Sequence, residues 1–179
     1  MNIHMKTFSN FLSLEKTDWN MLYTEQMPKI YNYFRYRVGN NMLAEDLTAA
    51  TFEKAWRARD SFQRRKASFV TWLYTIARNT MADHFRKSHK VQHLEIDERV
   101  PSEDAEPEDK LAAKQTIQTL VSMLENYSPR ERDLIALKYG SGLRNREIAK
   151  LTGLSETNVG SILHRTVSKL RKAMEQNYE

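Results

Sequence analysis

Apolar positions recur at helical spacing in two separate stretches of the chain, with a polar interval between them. Trp19 to Val38 reads as a helix, interrupted or restarted at Pro28 and ended by Gly39-Asn40. Leu43, Leu47, Thr51 and Ala55, flanked by Phe52 and Trp56, mark a second helix whose acidic start at Glu45-Asp46 suits the positive end of its dipole. After a short loop from Asp60 to Ala67, a third helix from Ser68 to about Ser88 carries Phe69, Trp72, Leu73, Ile76, Thr80 and Met81 along one side.

The second stretch opens at Ser128-Pro129-Arg130-Glu131. A capping serine, proline at the first helical position and glutamate three residues after the cap predict a helix through about Tyr139, punctuated by Gly140 and Gly142. A helix from about Asn145 to Thr152 follows, with Ile148, Ala149 and Leu151 inward, and Gly153 supplies a permissive turn. Ser155 caps a last helix with the stripe Val159, Ile162, Leu163, Val167, Leu170 and Met174. The small Ala149, the turn Gly153 and the branched Val159 and Ile162 stand at the spacing that lets two helices cross closely in a helix-turn-helix.

Composition narrows the class. With five glycines and four prolines in 179 residues, the chain lacks the punctuation of a turn-rich β fold. The absence of cysteine removes disulfides, cysteine zinc sites and thiol chemistry, and fits a reducing compartment. No apolar stretch approaches the roughly 20 residues that span a bilayer, and the start has no secretory pattern, so a cytoplasmic protein without membrane insertion is expected. A phosphate-binding loop, a His-Glu-x-x-His motif and a nucleophile elbow are likewise missing, and His89 and His93, four apart with no third ligand, read as surface residues, so neither an enzyme nor a cofactor or metal site is expected.

Charge distribution adds more than the net value of +5. Residues 57–90 carry net +7, residues 95–109 carry net −7 and include Pro101 and Pro107, and the segment from Tyr127 to Glu175 has ten basic residues against five acidic ones. The expected fold class is therefore all-α: two small helical domains joined by an acidic linker, the C-terminal one a helix-turn-helix. The boundaries read as an unassigned extension over 1–16, a helical domain over 17–90, the linker over 91–112 and the helix-turn-helix domain over 113–179.

The outward residues at the start of the last helix, Thr157, Asn158, Ser161, His164 and Arg165, suit base edges, and Lys169 and Lys172 suit phosphates. In the first domain, aromatic residues interleaved with Arg and Lys suit single-stranded nucleic acid. Trp56 and Trp72 lie on apolar stripes and read as core, which leaves Phe62, in the basic loop, as the functional aromatic.

These residues resemble the extracytoplasmic-function sigma factors, the two-domain promoter-specificity subunits of bacterial transcription. The resemblance covers roughly Leu22 to Met174. It rests on Ala44-Glu45-Asp46-Leu47 with Thr51-Phe52 and Ala55-Trp56, on Thr71-Trp72-Leu73-Tyr74 with Ile76-Ala77-Arg78-Asn79, and on Ser128-Pro129-Arg130-Glu131-Arg132 with Asn145-Arg146-Glu147-Ile148-Ala149. It implies that Asp46, Leu47, Ala49, Ala50 and Phe52 face the β′ clamp helices of core RNA polymerase. It further implies that Phe62, Arg64, Arg65, Lys66, Trp72, Asn79 and Arg86 capture the melted minus-ten strand, and that the last helix reads the minus-thirty-five duplex. An anti-sigma partner, which this family often has, is a further implied partner.

Three departures from the family pattern stand out. Ala49 and Ala50 replace a usual Gln-Glu pair, Gly160 stands where many members have Lys or Arg, and Gln63-Arg64-Arg65-Lys66 lacks a common glycine. The alternative is a stand-alone dimeric helix-turn-helix regulator, which predicts half-sites related by a two-fold axis.

Overall fold

The computed structural model describes residues 16–62, 68–91, 119–124 and 126–176. The acidic linker from residue 92 on, the extension before residue 16, and Arg64, Arg65 and Lys66 lie outside the described residues. Helix α1, Lys16–Val38, runs through Pro28 without a break. Proline removes one backbone donor, but the buried stripe of Trp19, Gln26, Ile30, Tyr33 and Phe34 extends on both sides of it and holds the helix against its neighbours. The expected interruption therefore does not occur.

Gly39, at φ +66°, ends α1 by returning its N–H to the Arg35 carbonyl at 3.0 Å. Helix α2, Asn41–Ala58, begins at once, its cap being the Asn40 side chain, which accepts from the Leu43 N–H at 3.0 Å. Glu45 and Asp46 thus lie beyond the first turn, where the dipole reaches them less than the sequence pattern implied. Thr48 and Thr51 are buried in this helix, with hydroxyls donating to the carbonyls of Ala44 and Leu47 at 2.6 and 2.7 Å. A 3₁₀ turn at Arg59–Ser61 leads to Phe62, and α3 occupies Phe69–Val91. Ser68 caps it, accepting from the Thr71 N–H at 3.2 Å.

The second domain follows the expected elements closely. Helix α4, Pro129–Ile135, has the capping box: the Ser128 hydroxyl accepts from the Glu131 N–H at 3.3 Å, and the Glu131 carboxylate accepts from the Ser128 N–H at 3.0 Å. It widens into a π turn at Ala136–Gly140, where the Ser141 N–H reaches the Ala136 carbonyl at 3.0 Å. Helix α5 is Asn145–Thr152 and α6 is Glu156–Gln176. Between them Gly153 sits at φ +72°, a left-handed position that a β-carbon would strain.

The two domains pack directly on each other. Their buried residues form one continuous apolar cluster, from Ile30, Phe34, Leu73 and Ala77 to Leu134, Leu137, Ile148 and Val159. The π turn lies along α1, and Gly140 comes so close that a β-carbon there would stand 2.9 Å from the Asn32 carbonyl oxygen. A carboxylate bridges the same seam. Asp133 accepts from the Tyr33 hydroxyl at 2.7 Å and from Arg78 Nε at 3.0 Å, with Arg37 Nε at 3.8 Å. Arg78 also donates to the Leu151 carbonyl at 2.5 Å, tying α3 to the end of α5. Burial and the neighbouring Asp133 charge push the Tyr33 hydroxyl well above its ordinary pKa, so it remains a donor.

Candidate nucleic-acid interface

The second domain presents one side of α6 to solvent. Ser155 caps the helix, accepting from the Asn158 N–H at 3.2 Å, while Val159, Leu163, Thr166 and Leu170 turn inward. That phase leaves Thr157, Asn158, Ser161, His164 and Arg165 exposed, as the sequence pattern predicts. Thr157, Gly160, Ser161, His164 and Arg165 line an open concavity on this face. Further along, Lys169 and Lys172 are exposed, Lys169 lying 4.0 Å from Glu131. An exposed polar helix carried by a tight turn against a second helix is the form that enters a major groove.

Glu131 fixes that helix to the domain. Besides its cap role it accepts from the buried Thr166 hydroxyl at 3.4 Å, so the α4 cap and α6 share one carboxylate. The Ser128 hydroxyl is the main cause that holds the Glu131 carboxyl below its ordinary pKa; partial burial opposes it, and the Ser128 N–H, Lys169 and Thr166 add to the lowering.

In the first domain an aromatic cluster gathers where the basic loop begins and ends. Phe62 packs 5.0 Å from Trp72 and 5.8 Å from Phe69, ring centre to ring centre, and Trp19 bridges Phe69 and Trp56 at 5.8 and 5.4 Å. Arg59 lies over the Trp56 ring at 4.1 Å and donates to the Trp56 carbonyl at 2.7 Å. Asn79 and Arg86 are exposed on α3, Arg86 bonded to Asp83 at 2.9 Å. Asp83 also accepts from Lys54 at 3.2 Å, the main reason its carboxyl titrates below the usual range.

The profile for Sigma-70 region 2 matches residues 22–91, and that for Sigma-70, region 4 matches residues 117–170. RNA polymerase sigma factor YlaC of Bacillus subtilis is 32% identical over 161 residues, covering 88% of this chain and 92% of the relative. The chain belongs to the extracytoplasmic-function branch of the sigma-70 family. The ECF RNA polymerase sigma factor BldN of Streptomyces coelicolor is 30% identical over 162 residues, which span 89% of this sigma-family chain and 61% of BldN. Two solved structures share the fold: CnrH in complex with the cytosolic domain of CnrY, and the sigma factor RpoE in complex with the anti-sigma factor NepR from Bartonella quintana. The first has TM-score 0.66 at 20% identity over 94% of each chain; the second has 0.67 at 23%, over 89% of this chain and 98% of RpoE.

Within this sigma-family fold, several residues expected at contacts are buried or partly buried. Phe62 is 2% exposed and Trp56 is 40% exposed, the reverse of the sequence expectation for the pair. Phe62 follows the 3₁₀ turn and packs against Phe69 and Trp72, whereas Trp56 lies in the last turn of α2, in contact with Trp19 and Arg59. Trp72 is half-buried between Phe62 and Phe69. On α2, Asp46 and Ala49 are exposed and Ala50 is half-buried, but Leu47 and Phe52 are buried, Phe52 against Tyr23 at 4.6 Å. Tyr23 and Met27 remain exposed on the adjoining α1, a surface that helical periodicity alone did not single out. No helix among the described residues is long and apolar enough to cross a membrane.

Proposed function

We propose that this sigma-family chain binds core RNA polymerase in the cytoplasm and directs promoter-specific initiation. The observation that carries the reading is the exposed polar face of α6, set by the Gly153 turn, in the same chain as a domain with an exposed Asn79 and a packed aromatic cluster. Thr157, Asn158, Ser161, His164 and Arg165 read the minus-thirty-five duplex, and Lys169 and Lys172 hold its phosphates. Asn79, Arg86 and the loop residues Arg64, Arg65 and Lys66 take the melted minus-ten strand. Phe62 and Trp72 pack on each other, so Phe62 supports this surface rather than offering a free stacking face.

Asp46 and Ala49 on α2 meet the β′ clamp helices, with Leu47 and Phe52 shaping that surface from beneath. Ala49 and Ala50 offer little polar grip, and exposed Tyr23 beside Phe52 enlarges the apolar part of the contact. Two structures of this fold are complexes, one of them with an anti-sigma factor, and we extend a protein antagonist of that kind to this chain. A dimeric regulator leaves the first domain without a task.

An amide side chain can donate and accept at once, which suits Asn79 to an unpaired base. Asn79→Ala is expected to impair open-complex formation while the variant still copurifies with core polymerase. Permanganate reactivity of the melted strand reads this directly, and an unchanged footprint removes Asn79 from the role. Failure of the unaltered chain to bind core polymerase removes the whole reading.

A further inference from the structure

Four of the five glycines have a reason inside the fold. Gly39, Gly142 and Gly153 have positive φ, and Gly140 has the Asn32 carbonyl oxygen where its β-carbon would be. Gly160 has neither. It lies within α6, its φ is not positive, and a β-carbon there would meet only Asn145 Nδ2, at 3.5 Å, an ordinary contact. Glycine weakens a helix relative to alanine, because it gives up more backbone freedom on folding and adds no packing. The reason for Gly160 is therefore sought outside the folded chain.

Its position supplies one. Gly160 is part of the lining of the concavity on the exposed face of α6, together with Thr157, Ser161, His164 and Arg165. Thr157 precedes it by one helical turn on the same face, and Ser161 and His164 follow, so a bare backbone interrupts a row of side chains. Gly160 contributes only backbone to that lining, and the Thr157 side chain stands one helical turn before it. A thymine presents one apolar projection to the major groove, its C5-methyl group, and a threonine methyl bordering a gap of matching size is a surface that receives it.

We propose that Gly160 is a specificity-determining residue, its missing side chain forming a notch that receives the C5-methyl of one thymine in the upstream promoter element. This rests on the reading of α6 as the duplex-reading helix. Where a long basic side chain would reach for a phosphate or a guanine, the notch exchanges that contact for closer approach of the helix and selection of thymine. Arg165, next in the lining, then fixes the neighbouring base by hydrogen bonds.

The test uses the full chain assembled with core polymerase and duplexes selected by that holoenzyme from a pool randomised in the upstream region. Each thymine of the selected element is replaced in turn by deoxyuridine, which removes only the methyl group. At one position the wild-type holoenzyme is expected to lose about fourfold in affinity, the worth of one buried methyl. Gly160→Ala fills the notch and is expected to abolish the discrimination between thymine and uracil at that position alone. The same variant is expected to raise the thermal midpoint by about 2–4 °C, the gain of alanine over glycine in a helix of a chain this size.

Methyl discrimination that survives in Gly160→Ala, or is absent from the wild type at every position, overturns the proposal. So does a lowered thermal midpoint, which would give the glycine a reason inside the fold. Arg165→Ala separates this from the underlying reading. If that variant keeps full affinity and unchanged sequence preference, α6 is not the reading helix; if it loses both while Gly160→Ala changes neither, only the notch fails.

Discussion

The hydroxyl of Tyr33 donates to the carboxylate of Asp133 at 2.7 Å, joining residues one hundred positions apart across the seam between the two domains. Arg78 and Arg37 complete the surroundings of that carboxylate, whose side chain is only 13% exposed. A buried charge that loses a partner costs more than the partner's own bond is worth, because desolvation is no longer offset. Tyr33→Phe is expected to destabilise the chain by about 1.5–3 kcal/mol, the range for a hydrogen bond to a charged group. Asp133→Ala, which takes the counter-charge from Arg37 and Arg78 and leaves Arg78 its bond to the Leu151 carbonyl, is expected to cost about 3–5 kcal/mol. Urea unfolding of both variants measures this, and a double-mutant cycle between positions 33 and 133 should show coupling well above experimental error.

Acid sensitivity should concentrate on Glu131. Its carboxyl titrates below the ordinary value, chiefly because the Ser128 hydroxyl donates to the charged form. A carboxyl depressed in the folded state binds its proton more readily when unfolded, so its contribution is fully present above the unfolded value of about 4.3. It is lost as the pH falls through the lower folded value. Glu131→Gln is therefore expected to be less stable than wild type at neutral pH, with the difference narrowing toward pH 3 in calorimetric scans. Because Glu131 also accepts from Thr166, the loss should loosen the seat of α6, seen as faster amide exchange in that helix.

Arg165 and Lys172 separate reading from holding. Both are exposed on α6. Arg165→Ala is expected to cost about 1–3 kcal/mol on the selected upstream element and little on a scrambled one, as for a lost bidentate base contact. Lys172→Ala should weaken binding equally on both and lower the slope of log affinity against log salt by about one unit. Equal loss on both sequences for Arg165→Ala would move it to the phosphate-holding group.

The two aromatics that exchange their expected places differ in what truncation does. Phe62→Ala removes a ring packed between Trp72 and Phe69 and is expected to cost about 3–5 kcal/mol of stability, with a lowered thermal midpoint. Trp56→Ala removes a half-exposed ring held by Trp19 and Arg59, and its cost should be clearly smaller.

What the sequence made legible was local. Asn145 to Thr152, Gly153 and Ser155 specify α5, the turn and the start of α6, since caps and left-handed turns are decided by a few consecutive residues. The outward phase of Thr157, Asn158, Ser161, His164 and Arg165 followed from the apolar stripe opposite them. The seam was not legible. Nothing near Tyr33 or Asp133 marks them as partners, and alternating charge along the chain spoke for two domains without saying that they pack on each other. Phe62 and Trp56 were misplaced for a related reason, because periodicity gives an aromatic a face but not the neighbour that covers it. Pro28 misled in the other direction: its local cost is outweighed by the buried stripe extending to either side.

Gly140 carries a different kind of information, one that belongs to lineages of chains more than to this molecule. Its backbone is of a sort any residue adopts, so what excludes a side chain there is the Asn32 carbonyl across the seam, with the Tyr36 ring close beside it. A related chain with alanine or a larger residue at the matching position has lost that seat and must hold its two domains in another arrangement. One aligned column thus becomes a marker of domain packing, sorting relatives that share this closed form from those that diverged from it, even where every promoter-reading residue is the same.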